Sequence, residues 1–329
     1  MVTVMVTFYN QKKYIHDSLS AVFNQKTNFK FEVICGDDGS SDGTYEELLK
    51  WQKRYPDICR VIQMPREQGK KYESIVRVSN SRFCMLKQAQ GKYITFLDGD
   101  DYYTDEYKFQ KQVDMLEKYP EYIGCGHPMT MLWENDSSKK EILGFIADCP
   151  LKMKNTIFWA HWWIPSEAFL FRNVYKGREE LINNNFFDDN LITCYFLKHG
   201  DIIYIPDNMV VYRQISDSSW NHRSALQKAV VNMGVYSEGK KIVPEMEWAN
   251  FMKGQASWKR FYVNRNKDIE ELCNVESVKH VPLVRDTSKY HKGNFAHKLW
   301  YEIKYFVPVR IGLAIRIIRR LQKYRFEKL

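Results

Sequence analysis

Three carboxylates fall within four residues at Asp98-Gly99-Asp100-Asp101, directly after the apolar run Tyr93-Ile94-Thr95-Phe96-Leu97. Acids this close repel one another unless something positive sits among them. Hard oxygen ligands on a tight, Gly-containing turn suit Mg2+ or Mn2+, ions that a substrate diphosphate would also bind. A second acidic turn, Asp37-Asp38-Gly39-Ser40-Ser41-Asp42-Gly43-Thr44, follows the run Phe31-Glu32-Val33-Ile34-Cys35. Here Asp38 can accept hydrogen bonds from a base or ribose, and Ser40 and Ser41 are candidate helix caps. Either turn alone is ordinary turn chemistry, but two at strand ends are hard to attribute to turns alone. The pair Asp188-Asp189 reads by itself as an N-cap and dipole partner for the helix it begins. In His161-Trp162-Trp163-Ile164-Pro165-Ser166-Glu167 the tryptophan faces could stack on sugar rings, with His161 and Glu167 holding hydroxyls. Hydrophobic core or a dimer contact suits that stretch equally well.

The elements that must position these residues alternate. Val2 to Phe8 is a buried-strand run, and Ile15, Leu19, Val22 and Phe23 recur at helical spacing. Glu46 to Arg54 predicts a helix, Cys59 to Gln63 a short strand, and Arg77 to Gln90 another helix, with Gly91 as its C-terminal cap. This βαβαβ alternation predicts an α/β fold with a parallel sheet and a ligand crevice at the strand C-termini. Residues 105 to 230 are richer in aromatics and turns and predict a mixed sheet facing an acceptor, and residues 226 to 280 look mainly helical.

The chain has 329 residues, 44% hydrophobic and 27% charged, enough to bury a real core. Seven scattered cysteines without a C-x-x-C pair exclude a disulfide framework or zinc site and suggest reduced, cytosolic thiols. The opening Val2-Thr3-Val4-Met5-Val6 predicts a first strand and not a signal peptide, and no apolar run is long enough to span a bilayer. Of the formal net charge of +9, most lies in residues 298 to 329, which carry nine Lys and Arg against two Glu. A nucleic-acid partner is not expected, because the basic residues are not interleaved over a recognised fold and the acidic turns would repel phosphate without metal.

The order and spacing of four stretches resemble the opening of a family 2 glycosyltransferase. They are Val6-Thr7-Phe8-Tyr9-Asn10, Ser18 to Gln25, Asp37 to Thr44, and Ala89 through Asp98-Gly99-Asp100-Asp101 to Asp105. Lys108-Phe109-Gln110-Lys111-Gln112 resembles a bacterial surface-glycan branch in which a GDDYW-like motif precedes a K-L-Q-x-Q helix. The likeness covers roughly residues 2 to 220. It implies an A-type glycosyltransferase fold, with a Rossmann-like nucleotide-binding half, a mixed central sheet and a C-terminal helical extension. Thr7 and Tyr9 would then line the nucleotide pocket and Asp38 would contact base or ribose. Arg82 matches the arginine of A-R-N-x-G, although Phe83 and Met85 replace the Asn and Gly. Asp98 corresponds to the ribose-side acid, Asp100 to the first metal ligand and Asp101 to the second. Asp188-Asp189 matches the family's Glu-Asp motif, which makes Asp189 the general base. Tyr212 to Ser219 resembles the Y-R-x-H-x-x-S-x-S loop, with Arg213 as a phosphate clamp and Ser218 and Ser219 as donor contacts. Ile215 replaces the loop's histidine, and His222 is the candidate substitute.

The resemblance implies an inverting, metal-dependent enzyme that transfers a sugar from a nucleotide-sugar, by default a UDP-sugar. The acceptor would be a glycan or polyprenyl-linked molecule in surface polysaccharide or lipopolysaccharide synthesis. Protein or teichoic-acid glycosylation, or non-catalytic binding of a sugar nucleotide, are the alternatives. The expected division is a catalytic domain over 1–225 (nucleotide-sugar half 1–104, acceptor half 105–225), a helical extension over 226–297 and a tail over 298–329. That tail interleaves Trp300, Phe306 and aliphatic residues with Lys and Arg, the pattern of a helix lying in an anionic membrane interface. Packing on its own domain or on a second subunit, in a homo-oligomer, is the alternative. The expected location is the cytoplasmic face of the plasma membrane, held peripherally.

Overall fold

The computed structural model describes residues 1–67, 69, 70, 72, 74–155, 166–175, 189–216, 218, 228, 295–301, 303, 327 and 328. The chain forms two compact units. One comprises Met1–Asn155, Trp163–Ser216 and Phe326–Leu329, the other Thr156–Trp162 and Asp217–Arg325.

The first unit is built on β1 (Val2–Phe8), β2 (Phe31–Asp37), β3 (Cys59–Gln63) and β4 (Tyr93–Asp98), which lie in the order β3-β2-β1-β4, all parallel. Val2, Val4, Val6, Val33, Ile34 and Ile94 are completely buried, as strands covered on both faces require. Helices α1 (Ile15–Phe23), α2 (Thr44–Arg54) and α3 (Ser74–Gln88) join them. The chain steps outward from β1 to β2 and β3, then crosses back to place β4 on the other side of β1. That reversal creates a switch point between β1 and β4, where open α/β sheets bind their ligands.

Beyond β4 the sheet becomes mixed. β5 (Tyr102–Tyr103) leaves for a second sheet, and α4 (Lys108–Lys118) packs Phe109, Val113 and Leu116 inward at helical spacing. β6 (Gly124–Gly126), β7 (Met129–Trp133), β8 (Asp136–Leu143), β9 (Leu151–Met153) and β10 (Leu170–Arg172) follow. After them come α5 (Asp189–Leu197), β11 (Ile202–Tyr204) and β12 (Val210–Gln214), and later α6 (Phe295–Tyr301) and β13 (Glu327–Lys328). Among the described residues the large sheet runs β13-β9-β11-β6-β10-β4-β1-β2-β3, and a second sheet runs β5-β12-β7-β8.

The structure revises two local expectations. Gly91 does not cap α3, which ends at Gln88. A Cβ at Gly91 would stand 2.6 Å from both Thr3 N and Tyr93 O, so it is close backbone approach that requires glycine there. Ser40 and Ser41 do not cap α2. The N-cap is Gly43, at φ 89°, and the Asp42 carboxylate accepts the Thr44 N–H at 2.9 Å. In the second unit, α6 exposes Phe295, Leu299 and Trp300, with exposed Ile303 after it. Among the described residues no helix is long and apolar enough to cross a membrane. Apart from position 228 and β13, the rest of the predicted extension and tail lies outside the described residues.

Lys108 is completely buried in the first unit. Its Nζ donates to Gln112 Oε1 at 2.9 Å and lies 4.6 Å from the centre of the Tyr103 ring. Burial holds its pKa down to about 7. An unfolded lysine keeps its proton to about pH 10.4, so the folded protein binds fewer protons between those values and stability contributed at this site rises with pH. We expect Lys108→Met to stabilise most at and below pH 7, with the gain shrinking towards pH 10. Thermal unfolding of both proteins across that range measures the trend, and a constant difference would contradict it.

Candidate active site

Thr7 on β1 stands opposite Asp98 on β4, and its Oγ1 donates to Asp98 Oδ1 at 2.7 Å. The Gly99 N–H donates to Thr7 O at 2.8 Å and the Asp38 N–H to Phe8 O at 2.9 Å. The ends of β1, β2 and β4 are thereby fixed at one level beside the switch point. The loops after β1 and β2 are also tied to each other. Asn10 adopts φ 52°, its N–H donates to Ser40 Oγ at 2.9 Å, and its Oδ1 accepts the Ser41 N–H at 2.8 Å. Lys12 N–H to Asp42 Oδ2 (3.0 Å) and Gln11 N–H to Thr44 Oγ1 (3.0 Å) continue the zip.

Five acids gather around this edge. Asp98, Glu167 and Asp189 each offer an oxygen, and those oxygens all lie within 4.8 Å of one another, a grouping that could hold a metal ion. Glu167 is completely buried, with neither carboxylate oxygen hydrogen-bonded. Burial, with the charges of Asp189 and Asp98, pushes its carboxyl well above the usual range. Burial and the charge of Asp98 push the Asp100 carboxyl up to about 7, against hydrogen bonding from Gln11 and the charge of Arg213. Asp101 is buried and raised too, chiefly by burial and the charge of Asp100. Its Oδ1 accepts the Arg213 N–H at 2.7 Å, while its Oδ2 has no hydrogen-bond partner. One guanidinium answers this charge directly. Arg82 Nη2 lies 2.6 Å from Asp189 Oδ1 and 3.3 Å from Asp98 Oδ1.

Asp38 occupies a separate pocket. Arg66 donates through Nη2 to its Oδ2 at 2.5 Å and through Nε to its backbone oxygen at 2.7 Å, while Arg77 Nε donates to Oδ1 at 2.6 Å. Burial raises the Asp38 carboxyl and the two arginines pull it back without reversing the shift. The Tyr9 ring, 42% exposed, carries the Arg66 guanidinium 4.2 Å from its centre.

Thr7, Tyr9, Asp38, Arg82, Asp98, Asp100, Asp101, Glu167, Asp189 and Arg213 all belong to the first unit. Arg213 donates to Asp17 Oδ2 at 2.6 Å, with its guanidinium 4.6 Å from the Tyr102 ring and 5.1 Å from that of Tyr14. Glu167, expected among the acceptor contacts, stands beside Asp98 and Asp189. Phe83 and Met85, which replace the Asn and Gly of the family pattern, are buried core residues. Ser218 belongs to the second unit. Asp188, Ser219, His161, Trp162, Trp163 and His222 lie outside the described residues. Arg66, Arg77 and Gln11 carry no expectation from the sequence. The available signal was the place of Arg66 between a strand parallel to β2 and the next helix, and that of Arg77 in the first turn of that helix.

A sequence profile of Glycosyl transferase family 2 matches residues 3–176. The chain is 28% identical over 223 residues to the uncharacterized protein Rv1520 of Mycobacterium tuberculosis (strain ATCC 25618 / H37Rv), covering 65% of this chain and 58% of that protein. It thus spans less than two thirds of that relative's length. Over 117 residues it is 31% identical to the UDP-Glc:alpha-D-GlcNAc-diphosphoundecaprenol beta-1,3-glucosyltransferase WfaP of Escherichia coli, covering 36% of this chain and 41% of that one. Among solved structures, S. aureus TarS matches with a TM-score of 0.60 at 18% identity, covering 99% of this chain and 93% of that one. TarS is also known in complex with UDP and with UDP-GlcNAc. The mannosyltransferase PcManGT of Pyrobaculum calidifontis, in complex with GDP-Man and Mn2+, matches with a TM-score of 0.50 at 16% identity, covering 98% and 88%. The α/β fold with a mixed central sheet is that of these A-type glycosyltransferases, as the sequence resemblance implied.

The Asp98–Asp101 turn passes directly over Phe8, whose ring a Cβ at position 99 would overlap. We expect Gly99→Ala to destabilise the protein by about 1–3 kcal/mol, the usual cost of overpacking a core. Urea unfolding measures this, and wild-type stability would show that the turn moves freely.

Proposed function

The chain belongs to glycosyl transferase family 2, and on that premise we propose that it is an inverting, metal-dependent transferase moving a sugar from a UDP-sugar to a hydroxyl of a glycan or polyprenyl-linked acceptor. The observation that carries this reading is the span of Arg82. A single guanidinium reaches both Asp98, the donor-side acid, and Asp189, the carboxylate read as general base. Asp189 takes the proton of the attacking hydroxyl. The new bond forms on the face of the anomeric carbon opposite the breaking bond to the diphosphate, which inverts that carbon.

A divalent cation fits the acids at this edge. The Asp100 carboxyl is pushed up to about 7, so a further negative charge is resisted while no cation offsets it. Buried oxygens of Asp101 and Glu167 lack hydrogen-bond partners. Asp100 and Asp101 are the proposed ligands, and Mg2+ or Mn2+ would neutralise charge on the leaving diphosphate.

Asp38, which Arg66 and Arg77 hold through one carboxylate oxygen each, is the proposed contact to the base. Each carboxylate oxygen accepts two hydrogen bonds, so Asp38 keeps capacity beyond its arginines and would accept the N3–H of uracil, where cytosine would set a lone pair against it. The complexes of TarS with UDP and UDP-GlcNAc agree with this choice, and the name of WfaP supports a lipid-linked acceptor.

Thermal shifts with UDP-, GDP-, TDP- and CMP-sugars, each with and without Mn2+, test the donor. Stabilisation by UDP-sugars only, and only with Mn2+, is expected. Asp100→Asn should abolish the dependence on Mn2+. Asp189→Asn should keep the shift while losing at least ~100-fold in transfer. Folded protein that responds to no nucleotide would refute the donor reading, and a shift without any transfer would point to the non-catalytic alternative.

We also propose that the tail meets an anionic membrane. Phe295, Leu299 and Ile303 recur one turn apart and are 81%, 48% and 55% exposed, within a strongly basic stretch. Because Glu327–Lys328 pairs with β9, removing the whole tail would also strip a sheet edge. The double substitution Leu299→Glu, Ile303→Glu is the better probe. It should weaken co-sedimentation with phosphatidylglycerol liposomes by about tenfold or more, two buried leucine-sized side chains being worth about 3 kcal/mol. Unchanged partitioning would refute the membrane reading.

A further inference from the structure

Helix α3 carries two arginines at the edge of the sheet, and they serve different carboxylates. Arg77 and Arg82 are five residues apart, which separates them by about 140° around the helix and about 7.5 Å along it. Arg77 turns to Asp38 and, with Arg66, completes that pocket. Arg82 turns to Asp98 and Asp189. The sequence resemblance groups Arg82 with the donor contacts, and its carboxylate partners here are Asp98 and Asp189.

Its place is rigidly determined. A Cβ at Gly36 of β2 would stand 2.7 Å from Ser81 Oγ and 3.0 Å from Met85 Sδ, so α3 lies flush on β2 only because that residue is glycine. Phe83 and Leu86 are buried on the same helix. Arg82 itself is only 3% exposed. Its guanidinium continues a chain that starts in β1: Thr7 Oγ1 to Asp98 Oδ1 at 2.7 Å, Arg82 Nη2 to that same oxygen at 3.3 Å, and Arg82 Nη2 to Asp189 Oδ1 at 2.6 Å.

We propose that Arg82 is a positioning residue for the general base: it holds the Asp189 carboxylate, at the start of α5, in fixed register with the donor-side acid Asp98. This rests on the reading of Asp189 as the base. Two physical needs support it. Charge-assisted hydrogen bonds from a planar guanidinium orient a carboxylate far better than a point charge does. Without a cation, Asp98, Asp189 and Glu167 would face one another across less than 5 Å, and repulsion would turn Asp189 away. Misplacing a reacting group by about 1 Å can cost ~100-fold in rate.

The test compares Arg82→Lys and Arg82→Met with wild type, using UDP release from UDP-glucose and UDP-GlcNAc in Mn2+ and the thermal shift caused by UDP with Mn2+. Positioning predicts that kcat falls about 100-fold in Arg82→Met and less in Arg82→Lys, while the donor KM and the UDP shift stay within about threefold and a degree or two. In the Asp189→Asn background, Arg82→Met should cost no more than about twofold further, because there is no longer a base to orient. A raised donor KM and a lost UDP shift with kcat unchanged would return Arg82 to the donor pocket and overturn the proposal. Fully additive losses in the double variant would overturn it too. Should Arg82→Met fail to fold, Arg82→Lys keeps the charge and gives the same split between kcat and KM. If Asp189→Asn alone released UDP at the wild-type rate, the base assignment itself would fall, an outcome distinct from either of these.

Discussion

Repulsion among Asp98, Asp100, Asp101, Glu167 and Asp189 is the constraint that the rest of the site answers. Each acid comes from the end of an element: β4 and the turn after it, the segment before β10, and the first residue of α5. The fold brings them together because β4 and β10 are adjacent strands and α5 leads back towards the same edge. Most of the answer comes from groups already fixed by the core. Arg82 bridges two acids from α3, and the Arg213 backbone N–H caps a third from β12. Tyr212, next to Arg213, is held un-ionised by burial and by the surrounding acids. On the proposed reading, the negative charge that remains would be met by a metal-bound diphosphate at the switch point.

On the same reading, the donor's other end must be held at a fixed distance from these acids, and the tie between the loops after β1 and β2 would set that distance. Asn10 can serve because its short amide tolerates the left-handed backbone, at φ 52°, while accepting the Ser41 N–H. Gly39, at φ 70°, serves differently. A Cβ there would stand 2.8 Å from Arg66 Cγ and from Met64 O, so its absence lets Arg66 lie along the turn and reach Asp38. One loop is thus shaped by a side-chain hydrogen bond and the other by a missing side chain, and the two meet at Tyr9.

The sheet was largely legible in the sequence because its central strands are buried on both faces and read as continuous apolar, β-branched runs, with Gly and Asp at the ends of β2 and β4. Val2 to Phe8, Cys59 to Gln63 and the Asp98 turn could be located that way. Side-chain partners across elements were not legible. Ser40 looked like a helix cap because its spacing from α2 allows it, yet Asn10 holds it across the sheet edge. Glu167 was read as holding sugar hydroxyls beside the tryptophans, and nothing local shows that it becomes completely buried beside Asp189. Arg66 and Arg77 were invisible for a related reason: an arginine in a loop or a first helical turn is usually solvated, and only the β2–β3 pairing and the packing of α3 on β2 bring these two to Asp38.

The two arginines of α3 show how one rigid helix can keep two tasks separate. Asp38 receives Arg77 on one carboxylate oxygen and Arg66 on the other, and burial still leaves its carboxyl raised. Asp189 takes Arg82 on Oδ1, a contact shared with Asp98, and remains part-exposed. Opposing guanidiniums favour the charged form of a carboxylate and fix its direction, while burial works against that charge. On the proposed reading, the five-residue offset along α3 is what lets one helix orient both carboxylates, Asp38 for the nucleotide base and Asp189 for the proton.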